Sequence, residues 1–347
     1  MKSELHLVKR LPKVDLHLHL DGAVRPETAL ELARSEGISL PAEDSAGLLP
    51  YMQVGDDCGS LADYLAKFDF VLPLLQTRGA LERVARELAE WAAGDGCLYV
   101  EVRFAPQLHV GKGLTCSDAI DAVLAGLRRA EASSGIVARA IAICMRHHPE
   151  ERNLAAIEAA AEHFGRGLVA VDLAGDEAGF PASRFRRVFA RARELGIPCT
   201  IHAGEASGPD SIAEAIDGLG AVRIGHGVRL REDPALLERI RERRIPLEMC
   251  PTSNVQTKAV AGWDDHPLRD YRDRGLSVTF HTDNPTVSGT TWSEECVAVA
   301  ERLGFSLPEI ARLMRNAVDV SFLDDAGKRR LRDRFDRRLA EIGLAEA

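Results

Sequence analysis

The sequence has no apolar run of the ~18 residues that a bilayer-spanning helix needs. Its opening stretch, MKSELHLVKRLPK, lacks the continuous apolar segment of a secretory leader. Both absences lead us to expect a cytoplasmic chain without a membrane partner. Paired cysteines are also missing. The seven cysteines, at 58, 97, 116, 144, 199, 250 and 296, form no Cys-x-x-Cys motif, and their odd number points to reduced thiols. Nor is there a surplus of positive charge: 44 Lys and Arg stand against 53 Asp and Glu, a net charge of -9, so no nucleic-acid partner is expected. The basic residues Arg241, Arg243, Arg244, Arg337 and Arg338 lie among acids and read as solvated helix faces. No Pro-, Gly- or Ser-rich linker breaks the chain. We therefore expect residues 1–347 to form a single domain. Nothing in the sequence sets the oligomeric state.

What is present is a repeat of pattern rather than of sequence. Short apolar, β-branched runs at 14–18, 98–104, 136–144, 168–173, 199–202, 222–226, 245–249 and 277–281 alternate with longer amphipathic segments. In one such segment Leu81, Val84, Ala85 and Leu88 fall on one helical face; in another Ile120, Val123, Leu124 and Leu127 do. Ser306 and Glu309 form a capping box ahead of Ile310 and Leu313. Pro209 or Asp210 opens a further helix. Eight strands alternating with helices predict an α/β fold, a (β/α)8 TIM-type barrel. An open doubly wound sheet is the alternative, against which stands the lack of a Gly-rich phosphate turn after the first strand. The Gly- and Asp-rich stretch 54–60 and the helical pattern of 61–75 lie between strands one and two, and read as an inserted helical lid over the barrel mouth.

In a barrel, the C-terminal ends of the strands face the active site. Strand one ends in Asp15-Leu-His17-Leu-His19, and alternation of period two places Asp15, His17 and His19 on one side. Strand five ends at His202, with Glu205 three residues on; strand six ends at His226; strand eight ends near Asp283 and Asn284. Singly, each has a structural alternative. A strand-end His can be a hydrogen-bonded core residue, Glu205 a helix N-terminal acid, Asp283 an Asx-turn residue. Jointly, a His pair on strand one with a third His and an Asp from distant strand ends match the ligands of a catalytic zinc that keeps one position open for water. The other histidines carry less. His6, His163 and His266 sit in polar or helical contexts and read as surface residues. His147 and His148 follow strand three on the rim, and His281 is either a spacer there or a contact.

These residues resemble the adenosine deaminase family of the amidohydrolase superfamily. The resemblance spans nearly the whole chain. It runs from Leu11-Pro-Lys-Val-Asp-Leu-His17-Leu-His19-Leu-Asp21-Gly22 through Tyr64-Leu-Ala-Lys-Phe68-Asp69 and Tyr99-Val-Glu-Val-Arg103-Phe-Ala-Pro106. It continues in Val171-Asp172-Leu-Ala-Gly175-Asp176-Glu177, His202-Ala-Gly-Glu205, Gly225-His226-Gly227, Cys250-Pro-Thr-Ser-Asn254 and Thr282-Asp283-Asn284-Pro285. The resemblance implies one zinc per chain, held by His17, His19, His202 and Asp283. It implies Glu205 as proton shuttle to purine N1 and His226 as the group that orients or deprotonates the attacking water. Gly175 would offer its amide to purine N3, Asp21 would bind the ribose 5′-hydroxyl, and Leu61, Tyr64, Leu65 and Phe68 would form an apolar lid. The implied reaction is hydrolytic deamination of adenosine and 2′-deoxyadenosine to inosine and 2′-deoxyinosine. The His-x-Glu and Pro-Cys-x-x-Cys signature of deaminases that act on bases within a strand is absent, so a free purine nucleoside is the expected partner.

The chain departs from the family at one site position. The family commonly has Asp-Asp before the proline of strand eight, the second acid meeting purine N7; here that position is Asn284. An ionised Asp only accepts hydrogen bonds, whereas an Asn amide can donate to the N7 lone pair. Two rival readings stay open. One is a deaminase of another 6-aminopurine, such as adenine or aminodeoxyfutalosine, although Asp21 favours a ribosyl substrate. The other is a barrel that binds nucleosides without turning them over.

Overall fold

A computed structural model describes residues 7–55 and 57–345. His6, one of the predicted surface histidines, lies outside the described residues. Eight parallel strands are present among the described residues: β1 (Lys13–His19), β2 (Cys97–Phe104), β3 (Val137–Met145), β4 (Leu168–Ala174), β5 (Thr200–Ala203), β6 (Arg223–His226), β7 (Leu247–Met249) and β8 (Val278–Phe280). Each coincides with one of the eight apolar runs to within about two residues, the margin within which strand ends are defined. They pair in chain order as two four-stranded sheets, β1-β2-β3-β4 and β5-β6-β7-β8.

Two seams close these sheets into a barrel. At the first, the Val171 amide donates to the Pro198 carbonyl at 3.0 Å. At the second, the His19 amide donates to the Asp283 carbonyl at 2.8 Å and the Asp283 amide to that of His17 at 3.0 Å. An open sheet has no such contact between its first and last strands. Helices pack around the outside, and the helix Arg78–Gly94 lies against Cys116–Ser134, the apolar faces predicted for both being buried. The capping box of Ser306 and Glu309 is formed as expected.

The second seam carries two corrections. His281 is neither a rim spacer nor a contact residue. It is buried between β8 and β1, where its Nδ1 accepts from the Leu16 amide at 3.1 Å and its Nε2 meets Thr279 Oγ1 at 2.7 Å. The strict alternation expected along β1 also fails, because the pairing of β1 with β2 shifts register between Asp15 and Leu18. A bulge of this kind re-aims side chains. The Asp15 carboxylate consequently meets Thr282 Oγ1 at 2.6 Å and the Trp292 indole N–H at 2.8 Å rather than the barrel mouth.

The insertion between β1 and β2 covers that mouth. Its helices Leu61–Leu65 and Phe68–Val71 present Leu61, Tyr64, Leu65 and Phe68 to the central cavity. The lid is fastened at its base. The Tyr64 hydroxyl hydrogen-bonds Ser288 Oγ at 2.6 Å, and the Val54 amide donates to the Val287 carbonyl at 2.9 Å. Among the described residues no helix is long and apolar enough to cross a membrane.

Candidate active site

A cavity of about 900 Å³ opens at the C-terminal end of the strands. That volume falls at the upper end of the range for small-molecule sites. The residues singled out in the sequence converge on it: His19, Asp21, Gly175, His202, Glu205, His226, Asp283, Asn284 and the four lid residues all line its wall. His17 lies immediately beneath, fully buried.

Four donor atoms from three strands meet at the floor. His17 Nε2 is 3.0 Å from His202 Nε2 and 3.4 Å from Asp283 Oδ1. His19 Nε2 is 3.3 Å from both His202 Nε2 and Asp283 Oδ1. Four ligands at zinc–nitrogen distances of ~2.0–2.1 Å in a tetrahedron lie about 3.3 Å apart. The chemistry of the donors makes the same point. His17 Nδ1 faces the Glu248 carboxylate at 2.9 Å, and His202 Nδ1 faces that of Asp172 at 3.0 Å. A carboxylate accepts, so each Nδ1 holds its ring's proton and each Nε2 keeps a bare lone pair. Two lone pairs and a carboxylate aimed at one point repel unless a cation sits between them. The site therefore fits a divalent metal held by His17, His19, His202 and Asp283. Burial, together with the neighbouring His202 and His17, holds the His19 imidazole well below its ordinary pKa, and burial lowers His202 as well, so both favour the neutral state that metal ligation requires. Burial would raise the Asp283 carboxyl, but His17, His19 and His226 outweigh it and hold it well below its ordinary value.

The residues behind the ligands have no role in the sequence reading, although Arg103, Asp172 and Glu177 fall within the motifs that carry the resemblance. Arg103 is fully buried and donates to Asp172 at 2.8 Å, to Glu248 at 2.7 Å and to the Leu16 carbonyl at 2.5 Å. One guanidinium thus orients the two carboxylates that orient two histidines. Glu248 also accepts from Thr200 Oγ1 at 2.8 Å and from Arg223 Nε at 2.5 Å. Glu177 does similar work for the loop after β5. Its carboxylate accepts from the amides of Gly204, Glu205, Ala206 and Ser207 at 2.7, 3.1, 2.7 and 2.9 Å. The signal for these residues was charge inside otherwise apolar strand runs, as at Glu248 between Leu247 and Met249.

Above the cluster sits Glu205, whose carboxyl is buried in the cavity wall. Burial, with Asp283 and Glu177 adding to it, pushes its pKa well above the ordinary glutamate value. It is a loop residue, not a helix N-terminal acid, since the next helix begins at Pro209. His226 Nε2 is 3.5 Å from Glu205 Oε2. Three cavity residues among those described hold buried oxygens with no hydrogen-bond partner, Asp21 Oδ1, Thr257 Oγ1 and Asn284 Oδ1. Such atoms are costly to bury and mark places where a ligand supplies the missing bond. Burial raises the Asp21 carboxyl to about 6. Gly22 must be glycine, because a Cβ there would stand 1.9 Å from Asn284 Oδ1.

Of the remaining histidines, His147 lines the cavity mouth, whereas His148 pairs with Arg152 at 3.3 Å. His163 is half-buried and bonded to Ser117 at 2.9 Å. His266 is a correction. It is buried, not on the surface, and its Nε2 lies 3.3 Å from Asn254 Oδ1.

The model of the adenosine deaminase family matches residues 12–338 of this sequence. The chain belongs to the adenosine deaminase family. Members of that family are hydrolytic deaminases of the amidohydrolase superfamily, and so is this protein. It is 41% identical over 325 residues to an adenosine deaminase of Clostridium botulinum, covering 93% of this chain and 97% of the relative. It is 40% identical over 334 residues to one from Haemophilus ducreyi, covering 95% and 97%. Among solved structures, an adenine deaminase from Arthrobacter aurescens matches with a TM-score of 0.88 at 32% identity, covering 95% of this chain and 99% of that one. A zinc-bound amidohydrolase from Burkholderia ambifaria matches with a TM-score of 0.89 at 26% identity, covering 99% and 95%. The proteins that this chain resembles thus carry names with different purines, adenosine and adenine.

Proposed function

We propose that this protein is a zinc-dependent adenosine deaminase. It replaces the 6-amino group of adenosine or 2′-deoxyadenosine with oxygen from water and releases ammonia. The observation that carries this reading is one cavity holding both a cluster of cation ligands and, beside it, a buried glutamic acid. A site that only bound nucleosides has no need for a proton donor next to a nucleophile source. His17, His19, His202 and Asp283 hold one zinc per chain, whose contribution when bound is to make water nucleophilic near neutral pH.

The other residues divide the remaining work. Attack at C6 pushes negative charge onto the purine ring, and Glu205 meets it by giving its proton to N1. The raised pKa keeps that proton available. The N–H of Gly175 binds N3, and the Asn284 amide donates to N7. The Asp21 carboxylate, with its unpartnered oxygen, accepts from the 5′-hydroxyl. Leu61, Tyr64, Leu65 and Phe68 cover the bound nucleoside and keep bulk water from the reacting carbon. Left as a carboxylate, Glu205 then carries the proton of the new C6 hydroxyl to the departing nitrogen, so the C6–N bond breaks with release of ammonia and a carbonyl remains at C6.

Purified protein of measured metal content, assayed against adenosine, 2′-deoxyadenosine, adenine and aminodeoxyfutalosine, tests the reading. The two nucleosides are expected to give the highest kcat/KM. Adenine, the substrate named for the structure from Arthrobacter aurescens, is the second reading. If adenine or aminodeoxyfutalosine exceeded adenosine by about tenfold, a difference near 1.4 kcal/mol, the substrate assignment would fall. A zinc-loaded protein inert toward all four would favour binding without catalysis.

Asp283→Ala probes the ligand set. The substitution removes one of four donors and leaves the three imidazoles. Zinc affinity is expected to fall by at least about 100-fold, more than loss of a group behind a ligand causes, and turnover with it. Full zinc content in the variant, measured by atomic absorption after dialysis, would remove Asp283 from the metal site.

A further inference from the structure

A line of hydrogen bonds runs from the outer layer of the barrel to His226, and its direction is set by groups that can only donate. Asn254, fully buried within the short helix Pro251–Gln256, receives the Cys250 amide on Oδ1 at 3.2 Å. A backbone N–H cannot accept, so the atom facing it must be the amide oxygen. The second group on that oxygen is His266 Nε2 at 3.3 Å. His266 Nδ1 accepts from the Leu268 amide at 3.3 Å, which leaves the ring proton on Nε2, pointing at Asn254. Two donors from different segments therefore fix the amide in one orientation. Its nitrogen is left facing His226 Nδ1 at 3.0 Å. An amide nitrogen donates, so Nδ1 of His226 accepts, and the proton of the neutral ring is on Nε2.

The ring has little freedom to escape this arrangement. His226 is buried, its backbone lies in the left-handed region at φ 62°, and the next residue, Gly227, follows at φ 67°. Its Nε2 faces the cavity, 3.5 Å from Glu205 Oε2.

We propose that Asn254 is a positioning residue that fixes the proton of His226 on Nε2, with His266 and the Cys250 amide locking the Asn254 side chain. The inference rests on the deaminase reading of the site and deepens it. It decides between the two roles that family resemblance leaves to His226. A neutral ring already protonated on Nε2 cannot take a proton from water at that atom. It donates to the nucleophile's oxygen and so turns that oxygen's lone pair toward C6, while proton transfer to N1 falls to Glu205.

The test is nitrogen NMR of the zinc-loaded protein carrying 15N-labelled histidine, with the His226 signals assigned by their loss in His226→Gln. The expected spectrum shows a bare, pyridine-type Nδ1 and a protonated, pyrrole-type Nε2. A protonated Nδ1 in the wild-type protein overturns the proposal, and this measurement needs no variant at position 254 to fold. Asn254→Asp keeps the shape but turns the donor into an acceptor. Nδ1 should then carry a proton, and kcat should fall by about 100-fold or more, as a wrong histidine tautomer does in other enzymes. KM should stay within about threefold, since Asn254 touches no part of the proposed nucleoside contacts. A bare Nδ1 in Asn254→Asp, or a kcat near wild type, overturns the assignment. Absence of deamination in the wild-type protein would instead strike the proposed function and leave the spectrum to report on the tautomer alone.

Discussion

Glu205→Gln is expected to leave the protein folded and fully loaded with metal while lowering kcat by about 10²- to 10⁴-fold, the range ascribed to one acid–base group. The geometry makes this substitution nearly free of side effects. Glu205 is buried, and burial together with Asp283 and Glu177 drives its pKa well above the ordinary value. A bound cation offsets part of the Asp283 contribution. The side chain is thus closer to a neutral acid than to a carboxylate, and glutamine reproduces its shape and neutrality. The loop stays in place because Glu177 grips it through backbone amides, which the substitution does not touch. What disappears is the transferable proton. An amide N–H can still hydrogen-bond N1, so KM should change little. The pH dependence has a definite sign. The active form of Glu205 is the protonated one, present below its raised pKa, so wild-type kcat should decline as pH rises through that value. The residual rate of Glu205→Gln should lack that decline. A variant with near-normal kcat would remove Glu205 from proton transfer.

Much of this site was readable in the sequence because a barrel converts linear position into spatial position. Each strand's C-terminal end is delivered to one face, so the sequence alone brings His17, His19, His202, His226 and Asp283 together, although they lie more than 260 residues apart at the extremes. The lid was legible for a related reason. A long insertion with its own helical period, placed right after a ligand-bearing strand, has only the barrel mouth to cover. What stayed hidden depends on local irregularity or on burial that polar neighbours disguise. The register shift in β1 takes Asp15 away from the side that simple alternation assigned to it. His266 follows Trp263-Asp-Asp, a context that suggests solvent, yet it closes a short turn that folds under the barrel rim against Asn254. His281 stands at the end of strand eight, where the sequence leaves a rim spacer and a contact residue equally open. Its actual task is to satisfy the Leu16 amide where β8 and β1 fail to form a continuous ladder. Glu248, Arg223 and Glu101 form ion pairs with Arg or Glu partners up to 145 residues away, and no periodicity reports such partners.

That buried ion network leads to the largest expected effect on stability. Arg103→Met should destabilise the fold by about 3–5 kcal/mol, the cost of stranding buried charge by removing one partner. Arg103 lies at 0% exposure and touches two carboxylates that are equally buried. Methionine fills much of the volume, so the loss is electrostatic rather than a cavity. Burial alone would raise the Asp172 carboxyl, but His202 and Arg103 outweigh it and hold it far below its ordinary value. A carboxyl with a depressed pKa contributes stability that is full above its unfolded value, near 3.9, and is lost as pH falls toward the folded value. Removal of Arg103 takes away part of that contribution. The deficit of the variant should therefore be widest at neutral pH and should narrow below about pH 4. Urea unfolding of chelator-treated protein at several pH values separates this effect from metal binding. In the zinc-loaded protein a second consequence should appear, because Asp172 and Glu248 orient His202 and His17: metal affinity should fall by about 10- to 100-fold. A variant less than about 1 kcal/mol weaker than wild type, with unchanged zinc affinity, would mean that the carboxylates find other partners and that Arg103 does not organise the ligands. Stability and metal affinity failing together would instead show that the charge beneath the barrel floor serves both the fold and the site.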